Sequence, residues 1–178
     1  MECQDILDFW FDELSQKQWF MKDLLLDDAI SKRFAGLHHK AVLGELSHWR
    51  EEPKGALAEI IVLDQFSRNM FRDSQKSFQF DCLALALAQE AIRRKDHIAL
   101  KGDEFDFLMM PFMHSESLLV HQQAAPYFAL SSNNGLISFE QKHVNIIKRF
   151  NRYPHRNKIL GRVSTDQELD FLKDNPGF

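Results

Sequence analysis

The sequence predicts an all-α protein with a single domain, built from about seven or eight helices in antiparallel pairs. A chain of 178 residues is long enough for one hydrophobic core, and we expect the domain to span residues 1–178. Apolar residues make up 44% of the chain, with 16 Phe but only 7 Gly and 5 Pro. This composition argues against disorder and against the turn-rich loops of a β sandwich. No alternating apolar and polar run indicates a strand.

Four helices are predicted in the first half of the chain, each from apolar residues three or four positions apart. The first covers residues 1–14. The second starts at the acidic pair 27–28 and weakens at Gly44. The third begins at Pro53. Proline has no backbone N–H, but that group makes no hydrogen bond within the first helical turn, so proline is tolerated at this position. The fourth, residues 80–94, is rich in Ala and Leu and carries basic residues at its C-terminal end.

Proline and capping residues mark the helices of the second half. The apolar stretch 104–113 contains Pro111, and Ser115 is expected to cap the next helix, which Pro126 kinks or ends.

A loop is predicted at residues 131–135, followed by a helix that starts at the capping pair Ser138 and Gln141 and stops at Pro154. A second capping pattern within residues 164–168 begins a last short helix.

Charge and cysteine content narrow the class of protein. The net charge is −4, yet the segment 142–162 is basic throughout and contains no acid. Such a local patch suits an anion better than it suits general binding of nucleic acid, which is therefore disfavoured. Cys3 and Cys82 lie far apart, and no signal peptide is evident, so a reducing cytoplasm is the expected location. No apolar run is long enough to predict a membrane span.

Three blocks of sequence resemble the signature of a known bacterial family. They are LDQFSRNMFR (63–72), PFMHSE (111–116) and RYPHRNKILGR (152–162), and the opening ILDFWF (6–11) adds to them. Together they are similar to the family called domain of unknown function 924. The resemblance implies an all-helical fold like that of the tetratricopeptide-repeat superfamily, without recognisable repeats, and no established activity.

The chain departs from the family pattern at the start of the third block. The family usually has Phe-Gly-Arg-Phe there, whereas this sequence has Phe-Asn-Arg-Tyr at residues 150–153. The change replaces a permissive glycine by Asn151 and puts the phenol of Tyr153 beside the basic cluster.

The first block places Asp64, Arg68 and Arg72 four residues apart, so all three share one face of a helix. One interpretation is a structural ion pair, because a buried acid needs a partner. The other is a pair of guanidinium groups that holds a carboxylate or phosphate, since two arginines exceed what one aspartate neutralises.

The second block brings His114 and Glu116 to a predicted helix start, where they are candidates for acid–base catalysis. In the simpler interpretation Glu116 favours the positive end of the helix and His114 makes one buried hydrogen bond. No metal ligand is predicted, because His121 does not share a face with His114 and the cysteine motif of zinc deaminases is absent. The adjacent His38 and His39 are expected at the surface.

The third block combines Arg152, His155, Arg156 and Arg162 with the start of a new helix, an arrangement that suits a phosphate or carboxylate. The alternative is that these arginines cap helix ends and bind acids across the core.

Our leading hypothesis is a helical module that binds a small anionic ligand or an acidic peptide in a basic groove. The groove would be lined by Arg68, Arg72, Arg152, His155, Arg156 and Arg162, with Asp64 beside them.

The alternative is an enzyme, a hydrolase or isomerase, acting on a small anionic metabolite. It would use His114 or His155 as acid or base, with Glu116 or Asp64 to orient the imidazole. RNA binding through the basic segment ranks third, since the rest of the chain is acidic. No Gly-rich phosphate loop or hydrolase motif is present, and no cofactor is predicted. The sequence predicts no oligomeric state.

Overall fold

The structure is a computed structural model that describes residues 1–175, and these residues form nine helices and no strand. The predicted all-α class is therefore confirmed, whereas the predicted number of helices was too low by at least one. The predicted domain extends to residue 178, so its last three residues lie outside the described range.

The first three helices cover residues 3–42. Helix α1 starts as Cys3–Leu7 and continues as a π-helical turn, Asp8–Glu13. Helix α2 is Gln16–Phe20 and helix α3 is Leu24–Val42. The sequence did not predict α2, because five residues are too few to establish a helical period. A capping box formed by Ser15 and Gln18 starts it.

Helix α4 is the central helix of the bundle and consists of three continuous parts, namely Pro53–Ile61, a π-helical turn at Val62–Phe66, and Ser67–Met70. Every residue from 55 to 67 is buried, and α4 packs against α1 and α3.

The remaining helices are α5 (Asp81–Arg93), α6 (Asp103–Met113), α7 (Leu118–Phe128), α8 (Asn134–Phe150) and α9 (Asp166–Asp174). The helices from α5 to α8 each contact the next one along the chain, as expected for antiparallel neighbours joined by short loops, and α4 contacts both α5 and α6. Among the described helices, none is both long and apolar enough to cross a lipid bilayer.

Several helix ends differ from the predictions. Pro111 and Pro126 lie inside α6 and α7 without ending them. Ser115 does not cap α7, which follows Ser117. Helix α8 starts at Asn134, four residues before the predicted capping pair, because the side chain of Asn133 accepts hydrogen bonds from two backbone N–H groups of the first turn. The predicted capping box of α9 is confirmed for Thr165 and Glu168.

The prediction for His38 was wrong. This residue is 5% exposed, and its Nε2 lies 2.8 Å from the hydroxyl oxygen of Ser67. Ser67 donates its own hydroxyl proton to the carbonyl of Leu63, so its oxygen is free to accept from the imidazole. The neighbouring His39 is exposed, as predicted.

Aromatic residues from three helices meet at the centre of the core. The ring of Phe66 lies 4.9 Å from that of Phe34 and 5.7 Å from that of Trp10, measured between ring centres. A second, smaller cluster contains Ile146, Ile147 and Tyr153. Through Tyr153 this cluster places the segment that follows α8 beside the C-terminal end of α6, since the tyrosine hydroxyl donates to the carbonyl of Met113 over 2.6 Å.

Candidate active and anion-binding site

The three sequence blocks meet in space. Asp64 lies in the π-helical turn of α4, and its side chain is 1% exposed. It accepts hydrogen bonds from Nδ1 of His114 at the end of α6, over 2.8 Å, and from the amide of Gln65 over 2.6 Å. Nη1 of Arg68 lies 3.0 Å from the same carboxylate. The first and second blocks are therefore joined by an aspartate–histidine–arginine contact.

The charge state of this contact follows from its burial. Burial opposes the ionised form of Asp64, but the positive charge of Arg68 and the hydrogen bonds outweigh it and lower the pKa of Asp64 to about 2. Burial, followed by the charge of Arg68, lowers the pKa of His114 below 6.5. A neutral His114 that donates from Nδ1 to an ionised carboxylate leaves Nε2 as an acceptor, and Nε2 has no hydrogen-bond partner among residues 1–175.

Asp81, the first residue of α5, connects the first block to the third. Its Oδ2 lies 3.1 Å from Nη2 of Arg68 and 3.3 Å from Nη1 of Arg156. Its other oxygen, Oδ1, is buried and has no hydrogen-bond partner in the described part of the chain. One carboxylate oxygen of Asp81 thus accepts hydrogen bonds from two arginines, while the other accepts none. No sequence motif singled out this residue.

Arg156 lies in the 3₁₀ turn Pro154–Arg156, and its side chain is 8% exposed. Its guanidinium carbon is 4.6 Å from the centre of the Phe78 ring and 4.8 Å from that of Tyr153, so two aromatic rings flank the cation. Burial, with the nearby charge of Arg68, lowers the pKa of Arg156.

The Nε group of Arg156 is buried and makes no hydrogen bond within residues 1–175, and no described residue bonds Nη2 either. We call these two adjacent groups the free edge of Arg156.

Other arginines of this protein use the same edge to hold a carboxylate. The Nε and Nη2 groups each bond one carboxylate oxygen, over 2.5 to 2.7 Å, in the pairs Arg50–Glu59, Arg72–Asp27, Arg93–Glu90 and Arg152–Glu168. This planar two-point geometry is the one that guanidinium offers to a carboxylate or phosphate. Arg156 presents it at a buried position without an acid of its own chain.

His155 contributes a second buried nitrogen. Its Nδ1 has no hydrogen-bond partner among the described residues, and its ring centre is 5.7 Å from that of Tyr153. Burial, followed by the charge of Arg156, lowers the pKa of His155 to about 4, so the imidazole is neutral at pH 7.

Six residues form what we call the Arg156 site: Asp64, Arg68, Asp81, His114, His155 and Arg156. Asp81 joins the five that the sequence predicted.

The other predicted site residues are held in ion pairs of their own. Arg72 binds Asp27 and Arg152 binds Glu168, and these acids are 8% and 2% exposed. With Arg162, which binds Glu116, the predicted groove therefore loses three of its arginines to ion pairs within the chain.

Glu116 also has structural partners. It holds Arg162 through two bonds of 2.7 and 2.9 Å and accepts from the backbone N–H of Tyr153. Burial raises its pKa, but the bonds from Arg162 and Tyr153 outweigh burial and lower the pKa below 4.5. The structure thus pairs His114 with Asp64 and not with Glu116, which resolves an alternative that the sequence left open.

A further buried network was not found from the sequence. Nδ1 of His121 lies 2.6 Å from Oε1 of Glu140, while its Nε2 lies 2.9 Å from the carbonyl of Ser115 and 3.1 Å from the hydroxyl of Tyr153. Both imidazole nitrogens are therefore engaged, and the network fixes the position of Tyr153 beside Arg156. Within residues 1–175, no group of three or more His, Cys, Asp or Glu side chains is arranged to hold a metal ion.

Comparison with known proteins agrees with the sequence blocks. A family model described as a bacterial protein of unknown function (DUF924) matches residues 6–176. The fold resembles a solved structure of a protein of unknown function from Agrobacterium tumefaciens, with 35% identity, coverage of 97% of each chain and a TM-score of 0.92. No curated protein matches the sequence. Because the family model covers nearly the whole chain, the protein belongs to the bacterial family of unknown function DUF924.

Proposed function

We propose that this protein binds a small anionic ligand, or the acidic group of a peptide segment, at the Arg156 site. The observation that supports the proposal is the free edge of Arg156. A buried N–H group that lacks an acceptor costs about 1–3 kcal/mol, because its hydrogen bonds to water are lost and not replaced. A carboxylate or phosphate oxygen would supply the acceptors in the geometry that four other arginines of this chain already use.

Charge balance refines the proposal that the sequence suggested. With both histidines neutral, the positive charges of Arg68 and Arg156 equal the negative charges of Asp64 and Asp81. The site therefore has no large excess of positive charge. Its support comes from the placement of donors and not from the number of arginines.

Titration calorimetry with three probes, acetate, inorganic phosphate and a glutamate-rich peptide, tests the proposal. We expect at least one probe to bind, and we expect Arg156→Lys to weaken its binding tenfold or more, because lysine keeps the charge but lacks the planar fork. Arg93→Lys is the matched control, since Arg93 holds an exposed acid by the same edge and should not affect binding. Absence of binding by all three probes at millimolar concentration would overturn the proposal.

A second candidate function is catalysis, and the contact between His114 and Asp64 favours it. The carboxylate fixes the imidazole with Nδ1 as donor, so Nε2 is placed to accept a proton from water or substrate. Nδ1 of His114 and Nη1 of Arg68 lie 2.8 and 3.0 Å from the same oxygen of Asp64, so the imidazole lies beside one of the arginines of the site.

The catalytic candidate requires turnover that depends on this contact. In a screen of esters and phosphoesters of small acids, we expect His114→Gln to abolish turnover and Asp64→Asn to reduce it. His39→Gln, at an exposed position, serves as the control. Turnover that survives His114→Gln, or no turnover at all, would rule out catalysis by this histidine.

Two further proposals follow from the residues described. We infer a cytoplasmic location, which is supported by Cys3 and Cys82 both being free thiols. RNA binding ranks below anion binding, because Arg152 and Arg162 of the basic segment already hold acids of the chain.

A further inference from the structure

We propose that a cleft between α8 and α9 binds a small aromatic anion, namely a planar ring that carries a carboxylate. The cleft has a volume of about 240 Å³, and its walls include Lys142, Ile146, Arg149, Phe150 and Phe171. No residue of the Arg156 site lines this cleft. The inference therefore goes beyond the proposed function and does not rest on it.

The positive charges of the cleft have no acidic partner in the described part of the chain. Arg149 forms no ion pair with a residue in the range 1–175, whereas every other arginine of the sequence forms one. Lys142 lies two turns earlier on the same face of α8 and also lacks an ion pair within these residues. No aspartate or glutamate from the described range lines the cleft. An anion therefore meets two cations here without competition from a carboxylate of the protein.

Aromatic rings form the wall beside Arg149. Its guanidinium carbon lies 4.7 Å from the centre of the Phe150 ring and 5.8 Å from that of Phe171. The centres of these two rings are 5.2 Å apart, and the ring planes are tilted by 57°. Both phenylalanines are only partly buried. A planar ring in the cleft can therefore pack against them in the tilted or offset geometry that aromatic pairs prefer.

The order of residues along α8 places apolar surface between the two cations. Lys142 and Arg149 are separated by about 10 Å along the helix axis, and Ile146 lies between them. Ile146 is 5% exposed and belongs to the smaller hydrophobic cluster, against which Phe171 also packs. A ligand that covers this surface needs an apolar body, while its charged group has to reach a cation at the end of the cleft. A ring with an attached carboxylate has both parts.

Polar side chains and the volume of the cleft restrict the ligand further. Asn145 and Asn175 complete the lining. Oδ1 of Asn145 accepts a hydrogen bond from Gln141 over 3.0 Å, which leaves its Nδ2 group to donate to a carboxylate. The cleft is smaller than the pockets of about 300–1,000 Å³ that hold drug-sized ligands. We therefore expect a compact aromatic acid and not a large cofactor.

Titration of the wild-type protein with benzoate, benzamide and cyclohexanecarboxylate, followed by NMR, tests the inference. Benzamide has the planar ring of benzoate without its charge, and cyclohexanecarboxylate has the charge without the aromatic ring. We expect benzoate to bind, benzamide to bind about tenfold more weakly because both cations lose their partner, and cyclohexanecarboxylate about threefold more weakly. Benzoate binding that is no tighter than that of either analogue would overturn the inference, as would the absence of benzoate binding at millimolar concentration.

Variants at exposed positions locate the binding. Lys142→Gln and Arg149→Gln should each weaken benzoate about threefold, and the double variant about tenfold, because solvent screens each exposed charge. Lys148→Gln is the matched control, since Lys148 is exposed on the same helix but does not line the cleft. All three positions are at the surface, so the substitutions leave the hydrophobic core unchanged.

The variant Arg156→Lys separates this inference from the proposed function. It should leave benzoate binding unchanged, because Arg156 does not line the cleft. Benzoate binding that is lost in Arg156→Lys but unchanged in the double variant would overturn the present inference and support the Arg156 site instead. Binding of acetate or phosphate that depends on Arg156, with no binding of benzoate, would likewise contradict only the present inference.

Discussion

Arg156 meets Asp81 through a single nitrogen, Nη1, at 3.3 Å from a carboxylate oxygen that Arg68 also contacts. The pair is longer than the two-point contact of Arg50 with Glu59, whose bonds measure 2.6 and 2.7 Å. Removing Arg156 would leave Asp81 with Arg68, whereas removing Arg50 would leave the fully buried Glu59 without a cation. The two arginines are therefore expected to differ in what they contribute to folding.

The ion pair of Glu168 with Arg152 should make stability depend on pH in the acid range. Hydrogen bonds from Arg152 lower the pKa of Glu168 from 4.5 to about 2. A carboxylate with a lowered pKa stabilises the fold above its unfolded value, and this contribution is lost as the pH falls from about 4.5 towards 2. We expect Glu168→Gln to reduce the free energy of unfolding at pH 7 by about 1–3 kcal/mol, because the carboxylate is buried and bonded to a charged group, although its partner Arg152 is 28% exposed.

Urea unfolding of the Glu168 variant and the parent at pH 7 and at pH 3 measures this effect, and the difference should shrink at the lower pH. Asp170→Asn is the control, because Asp170 forms an exposed pair with Lys173. A difference that stays constant across this range would contradict the assignment.

His155 should destabilise the protein at mildly acid pH. Burial lowers its pKa from 6.5 to about 4, so between these values the unfolded chain binds a proton that the folded chain does not. The free energy of unfolding is therefore unaffected by this residue above pH 6.5. It falls by at most about 3 kcal/mol as the pH decreases towards 4. His155→Gln should flatten the dependence of unfolding free energy on pH in this window, and an unchanged slope would show that His155 does not titrate as described.

Asn151 ends α8 in the left-handed conformation, with φ 57° and ψ 16°. Glycine takes this conformation without a steric penalty, and alanine does not. Asn151→Gly should therefore leave stability equal or raise it by about 0.5 kcal/mol, while Asn151→Ala should lower it by about 1 kcal/mol. Thermal unfolding of both variants provides the measurement, and equal stability of the two would be inconsistent with a conformational requirement.

The hydroxyl of Tyr153 should stabilise the fold. It donates to the carbonyl of Met113 over 2.6 Å in a residue that is 0% exposed. Tyr153→Phe should cost about 1–3 kcal/mol, because that carbonyl and Nε2 of His121 lose a partner. Tyr127→Phe is the matched control, since the hydroxyl of Tyr127 has no hydrogen bond to a described residue and the residue is only partly buried. Equal losses for both variants would contradict this role.

Short-range sequence patterns were sufficient to predict several helix starts. Pro53 begins α4, and Thr165 with Glu168 caps α9, because both signals act within one helical turn. The start of α8 was predicted wrongly. Ser138 and Gln141 match the sequence pattern of a capping box, but the side chain of Asn133 accepts hydrogen bonds from the first backbone N–H groups of the helix and so starts it earlier.

Long-range pairing limited the prediction of the site. Asp64 with Arg68, four residues apart, was predictable from helical spacing. The acid that binds Arg72 is 45 residues away in the sequence, and the acid that binds Arg162 is 46 residues away. The sequence therefore does not show which arginine lacks a two-point contact with an acid of the chain. Asp81 is part of no motif, and only the folded structure brings it to Arg156. Whether the bundle shares the tetratricopeptide-repeat arrangement stays a prediction.

The most direct test of the central claim compares the urea stability of Arg156→Met with that of Arg50→Met. Methionine fills similar space but has no charge. We predict that Arg156→Met changes the free energy of unfolding by no more than about 1 kcal/mol, because it removes an unpaired buried N–H group and Asp81 keeps Arg68. Arg50→Met should lose about 3–5 kcal/mol, because it leaves Glu59 buried and unpaired. A loss of the same size for Arg156→Met would mean that Arg156 serves the fold and would contradict its assignment as the anion-binding residue.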